Sequence, residues 1–362
     1  MKTISRNAVL CLVALAFTAA CSTEEIGKNK PDNNPTEQQL TTFQTGEAPI
    51  SRTTMTHTLN GPGKFFWTTG DNIFVDNGGI FVSSNTSSIT NNTTNATFYF
   101  TGNQLTAPSY TVTYTGKGST KGDEITIAAA QSQTNPNDFS HLGTSGDCGT
   151  ATAHRDANGV YNFKLEHKAA YLCFQPRSTN PYVNRSKLIK IEVTSDKPLA
   201  GTYGFSASGL SATPLSGASK TIVLNTNQFA LDNTTADLDK NGSYMVLAPG
   251  LHHLTVCYWL RNTTDHIDPL SATTKPIEGF IPQQITINVE AGKIYDITAD
   301  LKLSEYQKPA GEGTAPDGIN NANNPNVNEF VWVVFIYFNV ENVDTGEFFK
   351  QYAFPFHHRF SC

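Results

Sequence analysis

Charge is scarce in this 362-residue chain: Asp, Glu, Lys and Arg together make up only 15% of it. Much of its surface must therefore be Ser, Thr, Asn and Gly. The net charge of −6 argues against holding nucleic acid or an anionic membrane by electrostatics. Catalytic signatures are also missing. No HExxH, Walker loop, GxGxxG or CxxC pair is present, and no Gly-x-Ser-x-Gly stands at a strand-to-helix turn. An enzyme, a cofactor and a metal site are not expected. The neighbours His252-His253 and His357-His358 would point to opposite faces of a strand. His141, Cys148 and His154 share one stretch without a zinc spacing, and read as polar loop residues. Helical periodicity is almost absent too.

What the chain does have begins at its N-terminus. Lys2 and Arg6 precede an apolar run from Ala8 to Phe17. That run is about half the roughly twenty residues a spanning helix needs, so it reads as the core of a secretion signal. Cys21 follows Thr18-Ala19-Ala20, which matches a lipoprotein signal over residues 1–20. The thiol is then diacylated, the leader is cut before Cys21, and the new amine is acylated. Several acyl chains anchor stably, at about 0.8 kcal/mol per buried methylene. The alternative is ordinary secretion with an incidental cysteine. Residues 21–39 are too polar to bury a core and read as a flexible stalk. Its opening, Ser22-Thr23-Glu24-Glu25, resembles the short acidic signal that sends some lipoproteins to the outer face of Gram-negative cells. A plain solvated tether would look similar.

Of six cysteines, Cys11 lies in the leader and Cys21 takes the lipid. Cys148, Cys173, Cys257 and Cys362 leave room for a disulfide whose partners spacing does not choose. Cys173 and Cys257 sit in apolar strands and are expected as small buried hydrophobes.

From residue 40 onward, short runs rich in Thr, Val, Ile, Phe and Tyr recur between Gly, Asn, Asp and Pro, predicting an all-β chain. Leu188, Lys190 and Glu192 alternate with Ile189, Ile191 and Val193, as a strand with one wet face requires. Asp76-Asn77-Gly78-Gly79 and Glu290-Ala291-Gly292-Lys293 carry turn residues and are expected to close hairpins. Residues from about 129 to 158 read as a loop. Trp67 and Trp259 read as strand core. Many short strands at this spacing suggest β-sandwiches, divided here into residues 40–162 and 163–303.

Several segments, taken in order, carry a resemblance. Ile50-Ser51-Arg52-Thr53-Thr54 precedes Phe66-Trp67-Thr68-Thr69-Gly70-Asp71. Phe163 to Leu172, Ile189 to Val193, Leu199 to Tyr203, Tyr244 to Gly250 and Ala291 to Tyr295 follow. Behind a lipoprotein leader, this chain resembles the fimbrillin family, the type V pilins of Bacteroidetes, over about residues 40–303. The resemblance implies two tandem transthyretin-like β-sandwich domains in a fimbrial subunit. It also implies a lipidated precursor at the outer membrane, cut by an Arg-specific protease and filled by a strand of a neighbouring subunit. Arg52 is the first arginine beyond the leader, and is either that cleavage site or a loop arginine. Partners would be other fimbrial subunits, the outer membrane through the lipid, and a host or bacterial surface ligand. The competing reading is a monomeric surface lipoprotein that binds glycan or a host ligand.

Residues 304–328 read as a linker, and 329–362 as a C-terminal appendage. The run from Phe330 to Phe338 is apolar on both faces of any strand it forms. Phe330, Trp332, Val334, Ile336 and Phe338 would form one face of a donated strand, or of one that completes its own domain. The tail from Val340 to Cys362 matches no pattern.

Overall fold

β-Branched and aromatic residues alternating with small polar ones make most of the described chain strand. The computed structural model describes residues 40–46, 54–59, 64–102, 105–262, 266–267, 274–275, 278–307, 337–342 and 348–352. Cys21, Arg52, Phe330, Trp332, Val334 and Ile336 lie outside the described residues.

The described residues open with β1 (Leu40–Thr45), β2 (Thr54–Thr56), β3 (Lys64–Phe66), β4 (Phe74–Asp76), β5 (Phe81–Ser83), β6 (Thr86–Ser87) and β7 (Thr97–Thr101). Next come β8 (Ser109–Tyr114), β9 (Glu124–Ile127), β10 (Ala130–Gln133), β11 (Gly149–Arg155), β12 (Tyr161–Phe163) and β13 (Glu166–His167). Then follow β14 (Ala170–Arg177), β15 (Ser186–Ser195), β16 (Ala200–Ser206), β17 (Gly209–Leu210), β18 (Ser216–Ser219) and β19 (Thr221–Ala230). The last are β20 (Ser243–Leu247), β21 (Gly250–Asn262), β22 (His266–Ile267), β23 (Thr274–Lys275), β24 (Glu278–Val289), β25 (Lys293–Asp300), β26 (Tyr337–Asn342) and β27 (Phe348–Tyr352). Helix among the described residues is limited to short turns such as Leu142–Ser145 and Leu238–Asn241.

The first sheet runs β5-β4-β8-β11-β12-β1-β7-β6, with β13 beside β11. Strands from its two ends feed one apolar cluster: Val75 of β4 and Phe98 of β7 are both fully buried in it. The sheet therefore curls around its own core. Trp67 sits at the centre as expected, edge-on to Phe98 at 4.9 Å and to Tyr114 at 5.6 Å.

Two further sheets, β10-β19-β15-β21-β24 and β20-β14-β25-β26-β27, share a second apolar cluster. β14 is buried on both faces and pairs in parallel with β25, the arrangement expected of a covered strand. Ala170, Leu172 and Phe174 belong to this cluster, and Phe174 meets Tyr258 of β21 edge-on.

Local expectations fare unevenly. Asp76-Asn77-Gly78-Gly79 does close a hairpin between β4 and β5, with both glycines at positive φ. Glu290-Ala291-Gly292-Lys293 also turns, yet it carries the chain from β24 in one sheet to β25 in another. Turn chemistry sets the bend, not the partner. In β15 a bulge between Leu188 and Lys190 breaks the alternation, so Leu188 joins Ile191 and Val193 on the buried side. The stretch read as a loop contains β10, a helical turn and β11, and its Phe139, Leu142 and Cys148 enter the second cluster. Cys148 and Cys173 are free and buried, whereas Cys257 is disulfide-bonded and not simply a hydrophobe.

Candidate functional site: the first strand and its slot

β1 is the first described strand, yet it lies inside its sheet. It pairs in parallel with β12, Phe43 opposite Tyr161, and antiparallel with β7, Phe43 opposite Phe98. Alternation along Leu-Thr-Thr-Phe-Gln-Thr buries Phe43 and Thr45 while Leu40 is 55% exposed. Phe43 stacks on Tyr161 and meets Phe100 edge-on at 5.0 Å. Tyr161 is held in turn, its hydroxyl 2.6 Å from the Ala107 carbonyl oxygen.

The strand is anchored at its end as well. Thr45 N–H donates to the Ala96 carbonyl at 3.0 Å, and Ala96 N–H donates back to Thr45 Oγ1 at 2.9 Å. Gly46 N–H donates to the Phe163 carbonyl at 3.1 Å. Without β1, β7 and β12 would face each other across about 9.5 Å, two strand spacings. That is the width of one strand, lined by aromatic rings.

Of the lipidation, cleavage and donor-strand residues singled out from sequence, only Phe338 lies in a described element. It belongs to β26, which pairs antiparallel with Lys293, Ile294 and Tyr295 of β25.

A second feature was not visible in the sequence. One face of β14 carries polar side chains in a buried setting. Asp147 Oδ1 accepts from Tyr171 and, at 2.8 Å, from His167 Nδ1. Phe65 of β3 stacks on His167 at 4.1 Å. Further along, His57, Cys173 and Asp296 come together, with His57 Nε2 3.6 Å from Asp296 Oδ2. Burial pushes the His57 imidazole below its ordinary pKa, partly opposed by the Asp296 charge. Burial, then the same carboxylate, pushes the Cys173 thiol well up.

A cavity of about 570 Å³ opens near β16 and β17, lined in part by Lys168, Lys197, Tyr203, Leu251 and His252. Tyr203 is only 2% exposed and offers no ring face for a sugar. Trp259, expected in the core, is instead half-buried, with Lys190 Nζ 4.0 Å over its ring and Phe280 beside it. Adjacent His252 and His253 do point oppositely, the first buried and the second exposed.

No protein-family model matches the chain, and no curated protein matches it. Among solved structures it is similar to a candidate cell adhesion protein of Bacteroides uniformis, at 14% identity and TM-score 0.41, over 75% of this chain and 95% of that one. A candidate cell adhesion protein of Bacteroides ovatus gives 14% identity and TM-score 0.42 over the same shares. A fimbrial protein of Bacteroides vulgatus gives 10% and 0.27, over 55% of this chain and 66% of that one. Likenesses this distant carry no argument about function.

Proposed function

We propose that the chain is a structural subunit of a surface fimbria that polymerises by strand exchange. In this reading it is exported as a lipoprotein acylated on Cys21 and cut after Arg52. The fragment 21–52 then leaves with the lipid, and a neighbour's strand takes its place. The apolar run from Phe330 to Phe338 is the strand each subunit donates. The observation that carries the reading is the placement of β1. A strand at the N-terminal side of Arg52 fills an interior position between β7 and β12, so one cut would free both its neighbours' edges at once. Unpaired edges beside an apolar slot are costly until a new strand pairs with them. The glycan-binding alternative lacks support, because Lys190 covers the ring of Trp259 and Tyr203 is enclosed.

The test uses the full-length precursor incubated with an Arg-specific protease. Wild type should lose residues 21–52 and form SDS-resistant ladders, while Arg52→Ala should do neither. Normal ladders from Arg52→Ala would reject the proposal.

A further inference from the structure

We propose that His57, Cys173 and Asp296 form a binding site for a divalent transition metal ion, with zinc the best match to this ligand set. Cys173 on β14 and Asp296 on β25 are register partners in a parallel pair, so their side chains share one face of the sheet. His57, just past β2, reaches the same face from above. The nitrogen, sulfur and carboxylate ligand atoms of the three residues all lie within 4.8 Å of one another, and all three residues are buried. Tetrahedral zinc, with bonds of about 2.0–2.3 Å, holds its ligand atoms roughly 3.3–3.8 Å apart. The widest gap therefore needs to close by about 1 Å, within the reach of side-chain rotation.

The surrounding groups are arranged as outer partners of a metal site. Tyr244, opposite Cys173 on β20, places its hydroxyl 3.4 Å from His57 Nδ1 and donates to Asn137 Oδ1 at 2.8 Å. With an ion bound, that hydroxyl would accept from Nδ1–H, which frees the Nε2 lone pair for the metal. A ligating imidazole needs this tautomer. Gln175 Nε2 donates to Asp296 Oδ1 at 2.8 Å, fixing the carboxylate with Oδ2 toward His57. The Oε1 atom of the same amide is buried without a hydrogen-bond partner. That amide turns its N–H side to the cluster, its Nε2 also donating to Cys173 Sγ at 3.4 Å, so it braces two of the three ligands from outside. Three protein ligands leave a fourth position for water.

The ion would fasten the segment around His57 to two strands far along the chain. If the fimbrial reading also holds, it would keep the new N-terminal end docked after cleavage at Arg52. The site itself does not depend on that reading.

Cobalt(II) reports the site directly. The full-length chain, stripped with chelator and titrated with cobalt, should bind one equivalent and develop a near-ultraviolet thiolate-to-cobalt charge-transfer band. Zinc should displace the cobalt and erase the band. Cys173→Ala should lose the band, His57→Ala should weaken binding at least tenfold, and Arg52→Ala should change neither. Asp296→Asn keeps the side-chain shape, so it serves if Cys173→Ala fails to fold, and it too should bind at least tenfold more weakly. Folded wild type that takes up no cobalt would overturn the site. So would a band that survives in Cys173→Ala, or unchanged affinity in Asp296→Asn.

Discussion

Phe43 and Tyr161 lie face to face, their ring centroids 4.5 Å apart and their planes 9° from parallel. The pair joins the first strand to the one it follows in parallel, and both rings are fully buried. Much of what holds β1 in place is this contact, together with the Thr45–Ala96 hydrogen bonds. Phe43→Ala should therefore cost about 3–5 kcal/mol, the usual range for emptying an aromatic site in a core. Leu40→Ala, at a largely exposed position, should change stability by less than about 0.5 kcal/mol. Urea midpoints measure both effects. Equal costs for the two would mean that β1 is not seated through Phe43.

Gln131 and Gln133 replace a missing strand. Alternation along β10 turns both inward, and their amides pair with the backbone of β20 as a strand would. Gln131 Oε1 accepts from Val246 N–H at 3.0 Å, and its Nε2 donates to the Val246 carbonyl at 2.7 Å. Gln133 does the same for Tyr244 N–H and the Gly242 carbonyl. Gln131→Ala would strand two buried backbone groups and should cost about 1–3 kcal/mol. Gln131→Glu should be worse near neutral pH, because an ionised carboxylate cannot donate to the Val246 and Ala128 carbonyls. Hydrogen exchange at the Val246 amide and urea unfolding check this. A Gln131→Glu protein as stable as wild type would contradict it.

These glutamines also explain where reading the sequence stops. Alternation of Ile, Val and Thr made the strands legible, and Asp76 to Gly79 made one hairpin legible. The region around Gln131 looked like a loop because polar residues signal solvent, and here they are buried against backbone. The bulge after Leu188 was hidden because it changes which face a residue takes without changing composition. The placement of β1 between β7 and β12 follows from long-range pairing that no local pattern encodes. His57, Cys173 and Asp296 could not be read as a cluster, since register and not spacing brings them together.

Two buried histidines, His57 and His252, and the half-buried His141 give stability a pH dependence whose sign is fixed. Burial pushes His141 and His252 below the ordinary value of 6.5, as it does His57. Burial keeps the His252 ring neutral, and the bond from its Nε2 to the Ala248 carbonyl at 3.1 Å only partly opposes that shift. Below about pH 6.5 the unfolded chain takes up protons that the folded chain refuses. Stability should therefore be greatest above that pH and fall as the pH drops toward the folded-state values. His252→Gln, which cannot titrate, should show a shallower fall. Urea midpoints from about pH 8 down to pH 5 test this. A His252→Gln slope equal to that of wild type would remove His252 from the explanation.

Removing residues 329–362 separates the two roles open to the C-terminal run. Among the described residues, β26 meets β25 only at Lys293, Ile294 and Tyr295, at the start of that strand. The other edge of β25 pairs with β14 from Ile294 to Asp300, and that pairing does not involve the tail. Tyr295 and Ile297 are fully buried in the second cluster, which also draws on β15, β21 and β24. The shortened chain should therefore stay folded and monomeric. Treated with an Arg-specific protease, it should still lose residues 21–52 but form no ladders, because it has no strand to give. Mixed with full-length subunits, it should end ladders early, since its own slot still accepts a strand. If deletion instead unfolds the second half, with loss of amide protection in β14 and β25, the run is an internal core element and the donor role fails.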